Sequence, residues 1–385
     1  MTTTKKSDFS AVLVGLITFV IIALVSRLRA TEYNNYVILA DALLHGRLWV
    51  HGPNPFVDAF VYGGKYYVIE APFPAIALLP LVALQGLSAN QTLLATILAG
   101  IATGTAWEIA RRLELSPITR TLACGFFLLG TDLFWCAMNG GVWLIAHVSA
   151  VAFTLLALLE LLGKRRPWLV AIYAVCAAQS RFSLLAAIPI YAVLLASDPE
   201  IQSRSRSLLV FGATLVPFAL LSIAYNEARW HLPYDIGYAG FYRQGGPAGS
   251  PFGLEHLGYE MFSFFLRPPQ FRPIYPYVIA PLSGLALTWT SPALLIAFRA
   301  RNPRRWVVAL WAATLLTALP NLLYFANGYS QFGMRHALDF EPFLFVLLLL
   351  AVRKGMSSLE KLLCAYSALV GSWGVWFWQT FYPPI

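Results

Sequence analysis

Charged residues are scarce in this chain, and that scarcity limits the classes of protein to which it can belong. Asp, Glu, Lys and Arg make up only 12% of the 385 residues, whereas hydrophobic residues make up 58%. Aromatic residues are abundant, with 26 Phe, 18 Tyr and 12 Trp. This composition excludes an ordinary soluble domain and is typical of a polytopic membrane protein.

Cysteine and the common nucleotide-binding motifs are also scarce or absent. The four cysteines lie inside apolar spans, so we expect neither a disulfide framework nor a zinc site. No glycine-rich phosphate loop, Walker sequence or internal repeat is found. The first apolar span lacks a small-residue cleavage site, which indicates a retained helix rather than a signal peptide.

The formal net charge of +9 does not indicate a nucleic-acid partner, because most Lys and Arg lie in short clusters between apolar spans. That distribution follows the positive-inside rule, so we expect these clusters, and the N-terminus, in the cytoplasm. The clusters are Lys5 and Lys6; Arg111, Arg112 and Arg120; Lys164, Arg165 and Arg166; Arg204 and Arg206; Arg299, Arg301, Arg304 and Arg305; and Arg353, Lys354 and Lys361.

Apolar spans occur along the whole chain and predict a single all-α integral membrane domain over 1–385. With a shorter pair at 168–180 and 183–196, they indicate about eleven transmembrane helices in the plasma or inner membrane. We expect the proline-rich run 71–87 to lie in the outer interface, because a crossing there would place the clusters at 111–120 and 164–166 outside. The C-terminus is then also outside. The spans are 9–28, 90–110, 118–137, 141–162, 208–226, 281–298, 306–326, 338–352 and 359–378.

This topology leaves three loops on the outer face, 29–89, 227–280 and 326–342, and predicts that the functional site lies there. In the first loop, residues 33–45 form an amphipathic pattern, with Thr31 as the expected N-cap and Gly46 as the stop. Glu32 would then lie in the first turn, where the helix dipole favours an ionised carboxylate. Its position alone fits either a dipole-complementing residue or a catalytic one.

Several short motifs resemble those of GT-C glycosyltransferases, which include protein mannosyltransferases and lipid A aminoarabinose transferases. In the first loop they are an acidic residue after the first helix, "ALLHGRL" and "DAFVYGGKYYVIEAPFPA". Further matches are "ARRLELSPITRTLACGFFLLGTDLFW", "AAQSRFSLLAAIP" and "FGMRHALDFEPFL". The resemblance implies a catalytic module over 1–226, an outer loop over 227–280 and C-terminal helices over 281–385.

The resemblance also implies an inverting transfer of a sugar from a polyprenyl-phosphate donor to a lipid or glycan acceptor, with Glu32 as the base. Many family members have two adjacent acidic residues at this position, one of them linked to a divalent metal, whereas here Tyr33 follows Glu32. Asp58 or Glu70 would have to supply a second carboxylate, either for a metal or for the substrate. Metal dependence therefore stays open.

A phosphate leaving group requires cations at the outer end of the membrane helices. Arg335 and Arg181 lie beside apolar helix ends, where a charge is costly and tends to face a cavity or a partner. Lys65 lies in an aromatic turn that suits either a phosphate or a lipid headgroup. We also expect His147, His336 and Asp235 near the substrate, although a structural histidine and a local ion pair of Arg335 with Asp339 or Glu341 are equally simple interpretations.

The leading hypothesis is thus a membrane glycosyltransferase that contacts membrane lipids and no nucleic acid. The alternatives are a transporter or flippase for lipid-linked sugars, or a non-catalytic protein that binds them. An enzyme should hold its carboxylate beside a cavity open to the outer side, whereas a transporter should show a polar path to the cytoplasmic side.

Overall fold

A computed structural model describes residues 9–245 and 250–382, and 68% of the structure is helical. Lys5, Lys6 and the final three residues, on which part of the predicted orientation depends, lie outside the described residues. The helices are α1 Ser10–Ser26, α2 Asn35–Leu44, α3 Phe73–Gln85, α4 Gln91–Arg112, α5 Pro117–Leu129, α6 Leu133–Asn139, α7 Val142–Leu162, α8 Pro167–Ala178, α9 Ile188–Ala196, α10 Arg204–Trp230, α11 Gly237–Gly245, α12 Leu257–Phe265, α13 Leu287–Thr290, α14 Arg304–Leu322, α15 Glu341–Ala351 and α16 Ser358–Phe381.

Short 3-10 helices and two small hairpins complete the described chain. The 3-10 helices are Gly86–Ser88, Phe182–Ala187, Leu254–His256, Pro292–Arg299 and Arg335–Asp339. One hairpin pairs β1 (Ala59–Tyr62) with β2 (Lys65–Val68), and the other pairs β3 (Gln270–Phe271) with β4 (Val278–Ile279). The expectation of an all-α chain is therefore wrong in these two loops, where glycine- and aromatic-rich segments form antiparallel strands.

Four of the described helices, α4, α7, α10 and α14, are long and apolar enough to cross a membrane. Helices α5 and α6 form a fifth candidate if the pair, bent by 48°, counts as one span. A mainly helical chain with several membrane-length helices is thus confirmed, but the predicted number of about eleven is not reached. Several predicted spans are shorter helices in the structure: α1 has 17 residues, α8 has 12 and α9 has 9.

The helix break between α5 and α6 explains why apolar length alone overestimates the number of long helices. Thr131 lies at the break, and its hydroxyl returns a hydrogen bond to the carbonyl of Phe127 (2.6 Å). Asp132 follows it and is buried, with 5% of its surface exposed. A local hydrogen bond of this kind competes with helix continuation, so the predicted span 118–137 bends instead of running straight.

Helices α4 and α7 form the centre of the molecule, while α10 lies at its edge. In their most apolar windows, 72% of α4 and 78% of α7 are buried, compared with 11% of α10. Helix α1 packs on α4 through Gly15, Gly100 and Gly104. A Cβ added at Gly100 would lie 2.8 Å from the Gly15 carbonyl oxygen, and one at Gly104 would lie 2.7 Å from that of Ala11. Small residues four apart allow this close approach of the two backbones.

The amphipathic helix of the first loop begins later than expected. Its first residue is Asn35, because the Thr31 hydroxyl accepts a hydrogen bond from the Tyr33 amide (3.1 Å) and forms a turn rather than a helix cap. Glu32 therefore lies before α2 and not in its first turn. The helix ends at Leu44, and Gly46 adopts a left-handed φ of +68°, as the predicted stop requires.

The β1–β2 hairpin gives the first loop its shape. Gly63 and Gly64 have φ values of +55° and +75°, which the two central residues of a tight type I′ turn need. The register pairs Tyr62 with Lys65 and Ala59 with Val68. One step beyond the strands, the Ile69 amide donates to the Asp58 carbonyl (3.3 Å), so the hairpin brings Asp58 close to Glu70.

The α1–α4 contact predicts a selective sensitivity to side-chain size. Gly100→Val should destabilise the protein by roughly 1–3 kcal/mol, because its side chain would overlap the α1 backbone. The thermal midpoint in detergent should fall by several degrees. Gly212→Val is the matched control, since a Cβ at Gly212 in α10 meets nothing within 4 Å. Equal midpoints for the two variants would contradict the close helix contact.

Candidate functional site

One large cavity, of about 820 Å³, lies where the first loop meets the ends of α7 and α14. The hairpin contributes Asp58 and Ile69, and the start of α7 contributes Trp143. Arg181 and Ser183 reach it from the break after α8. Most of the remaining lining comes from α11 and from residues between 320 and 336, and Tyr33, Asp235, Phe252, Leu282, Trp378 and Tyr382 also line the cavity. The residues of α11 and 320–336 that matter most are Tyr238, Phe241, Tyr242, Asn321, Tyr324, Phe325, Tyr329, Arg335 and His336.

A pair of carboxyl groups lies at the hairpin side of the cavity. Asp58 lines the cavity, and its Oδ2 accepts a hydrogen bond from Trp143 Nε1 (2.6 Å). Glu70 is 5% exposed, and its Oε1 accepts a hydrogen bond from Asn35 Nδ2 (3.3 Å). This contact gives Asn35, which is fully buried at the start of α2, a partner for its amide group.

The two carboxyl groups interact directly and share their titration. Burial raises the pKa of Asp58, and burial with the adjacent Asp58 charge holds the pKa of Glu70 well above its ordinary value. Glu70 Oε2 is buried and has no N–H or hydroxyl donor nearby among the described residues. A proton on Glu70 satisfies this oxygen by donating to Asp58. The pair therefore retains a shared proton to a higher pH than an isolated carboxyl group does.

A second carboxylate, Asp339, anchors the deep side of the cavity. It is fully buried and accepts hydrogen bonds from His147 Nδ1 (2.8 Å) and from the Ser183 hydroxyl (2.6 Å). Arg181 donates to both of its oxygens at 3.2 Å, and Asn321 Nδ2 donates at 3.0 Å. A buried ion pair is stable only when additional hydrogen bonds satisfy it, and this one has them.

Arg335 lies in the same wall without a carboxylate partner among the described residues. Its side chain is buried, one terminal nitrogen donates to the Ser330 carbonyl (3.1 Å), and Nε has no partner. The guanidinium lies 5.9 Å from the centroid of the Trp143 ring. The local ion pair with Asp339 or Glu341 that the sequence suggested does not form, because Arg181 takes Asp339. Arg335 therefore brings to the cavity a guanidinium that forms no ion pair with a carboxylate of the described residues, and buried Asp132 is the acidic group that interacts with its charge from behind.

The two histidines predicted near the substrate lie together behind this wall. Their ring centroids are 5.4 Å apart, and His336 lines the cavity. His147 is fully buried and oriented by Asp339, so it acts through the Asp339 network rather than at the cavity surface. His336 Nδ1 and His147 Nε2 both lack a protein partner among the described residues.

Three other predicted site residues lie elsewhere or are engaged. Glu32 is exposed and does not line the cavity, although its neighbour Tyr33 does. Lys65 lies at the exposed turn of the hairpin, with its ammonium 5.5 Å from the Trp49 ring centroid. Asp235 lines the cavity but pairs with buried Arg229 (2.7 Å) and accepts from the Gly237 amide (2.6 Å) at the start of α11.

The aromatic wall was not predicted from the sequence. Tyr242 and Tyr324 are hydrogen-bonded through their hydroxyl groups, and Phe325 packs edge-on against Tyr242 at 4.8 Å. Trp143, Asn321 and Ser183 were also missed. An aromatic cluster spread over two distant segments, 238–242 and 324–329, gives no periodic signal, so only the fold reveals that the rings face one cavity.

The donor set around the carboxyl pair does not fit a divalent cation. Within residues 9–245 and 250–382, no group of three or more His, Cys, Asp or Glu side chains is arranged to hold a metal. One oxygen of Asp58 and one of Glu70 are already occupied by N–H donors. Mg²⁺ prefers ionised, oxygen-rich sites, so we derive no step through a metal.

Comparisons of this chain with family models, with curated proteins and with solved structures find no match.

The carboxyl pair predicts a specific infrared signature. Wild-type protein should retain a protonated-carboxyl signal well above about pH 4.3, the ordinary value for Glu. Glu70→Gln should remove that component from the difference spectrum, whereas Glu227→Gln, at an exposed position of α10, should leave it unchanged. Identical spectra for wild type and Glu70→Gln would contradict the pair.

The same pair predicts how stability depends on pH. A raised carboxyl pKa means that the folded state binds the proton more tightly than the unfolded state does. Its contribution is fully present below the unfolded value and is lost as the pH rises through the raised value. Thermal scans of wild type should show this loss, and scans of Glu70→Gln should show a smaller one, because burial also raises the pKa of Glu260, to about 8.

Proposed function

We propose that this chain is a polytopic membrane glycosyltransferase that moves a sugar from a polyprenyl-phosphate donor to a hydroxyl group of a lipid or glycan acceptor. One observation carries the proposal: a single cavity holds a carboxylate, Asp58, and a buried guanidinium without a carboxylate partner, Arg335. These are the two charges that the transfer requires, a base for the acceptor and a cation for the phosphate.

The acceptor hydroxyl binds beside Asp58. As the acceptor oxygen forms its bond to the anomeric carbon, its proton passes to Asp58. Trp143 and protonated Glu70 orient that carboxylate, and their hydrogen bonds leave the rest of Asp58 to the acceptor. We assign the base to Asp58 rather than Glu32, because Asp58 lines the cavity and Glu32 does not. The base role of Glu32 stays a prediction that the same assay tests.

The phosphate leaves from the opposite face of the sugar. The bond between the anomeric carbon and the phosphate oxygen breaks, and the lipid phosphate departs as an anion that needs no acid. Arg335 supplies the main positive charge, because Arg181 is already balanced by Asp339. Attack and departure on opposite faces invert the anomeric centre. The aromatic wall provides ring faces for a sugar and apolar surface for the isoprenyl chain.

The orientation of the helices supports placing this cavity on the outer face. Helix α7 begins at the cavity with Trp143, and its other end leads to Arg165, which pairs with Asp198 (2.9 Å). Helix α14 ends at the cavity with Asn321, and its first turn contains Arg305, which pairs with the same Asp198 (3.3 Å). Basic residues thus gather at the ends away from the cavity, as the positive-inside rule requires.

We further propose that shorter apolar helices, including α1, α8, α9 and α15, also cross the bilayer and account for the expected eleven passages. Helix α3, with only 13 residues and Pro80 inside it, would lie in the outer interface. The alternatives, a transporter or a non-catalytic binder of lipid-linked sugars, predict donor binding without transfer. The assay below separates them from an enzyme.

Asp58→Asn should lower kcat by ~10² or more, because the variant keeps the shape of the side chain but cannot accept a proton. Single-turnover transfer from a decaprenyl-phosphate sugar measures the effect, and donor binding should stay near that of wild type. When the pH is lowered, kcat/KM of the wild type should fall with a midpoint above the ordinary pKa of Asp, about 3.9. Glu32→Gln should change turnover little. Full turnover in Asp58→Asn with loss in Glu32→Gln would return the base to Glu32.

Arg335→Ala should weaken donor binding and lower kcat by roughly 10²–10³, since the charge acts on the phosphate in both ground and transition states. Arg335→Lys should recover only part of the loss, because an ammonium lacks the planar fork of guanidinium. Arg243→Ala removes the same charge from an exposed position and serves as the control. If Arg335→Ala had a normal KM for the donor, the donor phosphate would not bind at Arg335, and this part of the proposal would be wrong.

A further inference from the structure

A second, smaller cavity of about 320 Å³ lies between the C-terminal ends of α1, α6 and α16. Its lining includes two cations, Arg27 and Arg29, and three side chains from the last turns of α16 and beyond: Trp378, Gln379 and Tyr382. Neither the carboxyl pair nor Arg335 contributes to it. Trp378 and Tyr382 line both cavities, and their rings, with centroids 4.6 Å apart and planes tilted by 48°, form the shared wall.

The two arginines form no ion pair with any carboxylate of the described residues. Several arginines of the basic clusters differ in this respect: Arg111 and Arg112 both bond Glu108, and Arg166 bonds Glu160. Arg27 and Arg29 are both exposed, and no carboxylate of the described protein pairs with either of these neighbouring positive charges. Such an arrangement favours an anion at the cavity.

The backbone between them is held in an uncommon conformation. Arg27 and Leu28 have φ values of 53° and 46°, in the left-handed region that residues with a side chain rarely adopt. Two contacts maintain this bend: the Leu28 amide donates to the Ser26 hydroxyl (3.1 Å), and Asn90 Nδ2 donates to the Leu28 carbonyl (2.6 Å). Because of the bend, Arg27 and Arg29 line one cavity although helix geometry would have separated them around the axis.

The cavity wall also contains an unused donor. Trp378 is 2% exposed, and its Nε1–H has no partner among the described residues. The polar side chain next to it is already engaged, since Gln379 Nε2 donates to the Val25 carbonyl (3.0 Å). An acceptor-rich ligand in this cavity would accept hydrogen bonds from both guanidinium groups. The indole of Trp378, in the wall shared with the large cavity, is a further donor that still lacks a partner among the described residues.

The helix that leads to this cavity presents apolar side chains outward. Leu24 is 73% exposed, Val20 50% and Leu16 53%, and all three lie on α1 below the arginines. An anion with a hydrocarbon chain can therefore place its charged group at Arg27 and Arg29 and its chain along α1. We propose that this cavity binds the phosphate group of a membrane lipid, at a site separate from the main cavity and independent of the transfer reaction.

Native mass spectrometry of the full chain tests this site, in an Arg335→Ala background that removes the main phosphate contact of the large cavity. The probes are a phosphatidylglycerol, decaprenyl phosphate and inorganic phosphate. Arg27→Gln/Arg29→Gln should weaken binding of a lipid phosphate at least tenfold. Arg243→Gln/Arg272→Gln removes two exposed arginines elsewhere and should leave binding unchanged.

The pattern across probes identifies the source of the phosphate. If Arg27→Gln/Arg29→Gln loses phosphatidylglycerol binding, the site takes bilayer phospholipid. If the same variant loses only decaprenyl phosphate binding, the site takes isoprenyl phosphate. Trp378→Phe should cause a smaller loss, because it keeps the ring and removes only the N–H donor. Arg27→Lys/Arg29→Lys should retain part of the affinity and shows that the segment still folds. Equal lipid binding by the glutamine pair and its control would overturn the proposal, whatever the activity of the enzyme.

Discussion

Assembly of the large cavity depends on the buried carboxylate of Asp339. It accepts hydrogen bonds from α7, from the segment after α8 and from α14, through His147, Arg181 and Asn321. A buried anion without these partners would be too costly to fold, so the three elements must meet for the charge to be tolerated. Because the same carboxylate pairs with Arg181, Arg335 is the cation of this wall that has no ion pair among the described residues. One ion-pair network thus shapes the wall and determines where positive charge is available.

The opposite wall of the cavity depends on a much smaller structural element, the Gly63–Gly64 turn. The turn fixes the register of β1 and β2, and the register brings Asp58 next to Glu70. The hairpin in turn packs on the fully buried Trp230 at the end of α10, whose ring lies 5.5 Å from Phe60 and 4.9 Å from Tyr67. The glycine turn thereby determines how close Asp58 and Glu70 lie, and their proximity allows them to share a proton. This carboxyl pair lies across the cavity from Arg335.

Composition and the distribution of charge predicted the helical membrane-type fold, because both are properties of the whole chain. Arg181, Arg335 and His336 were predicted from charge or polarity beside apolar helix ends, and they do line one cavity. The ion pair of Arg181 with Asp339 was not predicted, because Asp339 lies 158 residues away in the sequence and no local spacing encodes such a contact. The hairpin had a visible signal, two glycines between alternating apolar runs, that was interpreted only as a turn. The position of Glu32 was wrong by one turn, because the Thr31 hydroxyl closes a local turn instead of capping α2.

The central claim is that one cavity holds the acceptor at Asp58 and the donor phosphate at Arg335. A cryo-electron microscopy structure of the protein in a lipid nanodisc with decaprenyl phosphate would test it most directly. The account predicts phosphate density within hydrogen-bonding distance of the Arg335 guanidinium, with the isoprenyl chain along the aromatic wall. Phosphate density outside the cavity, beside Glu32 or Lys65 with Arg335 uncontacted, would contradict it.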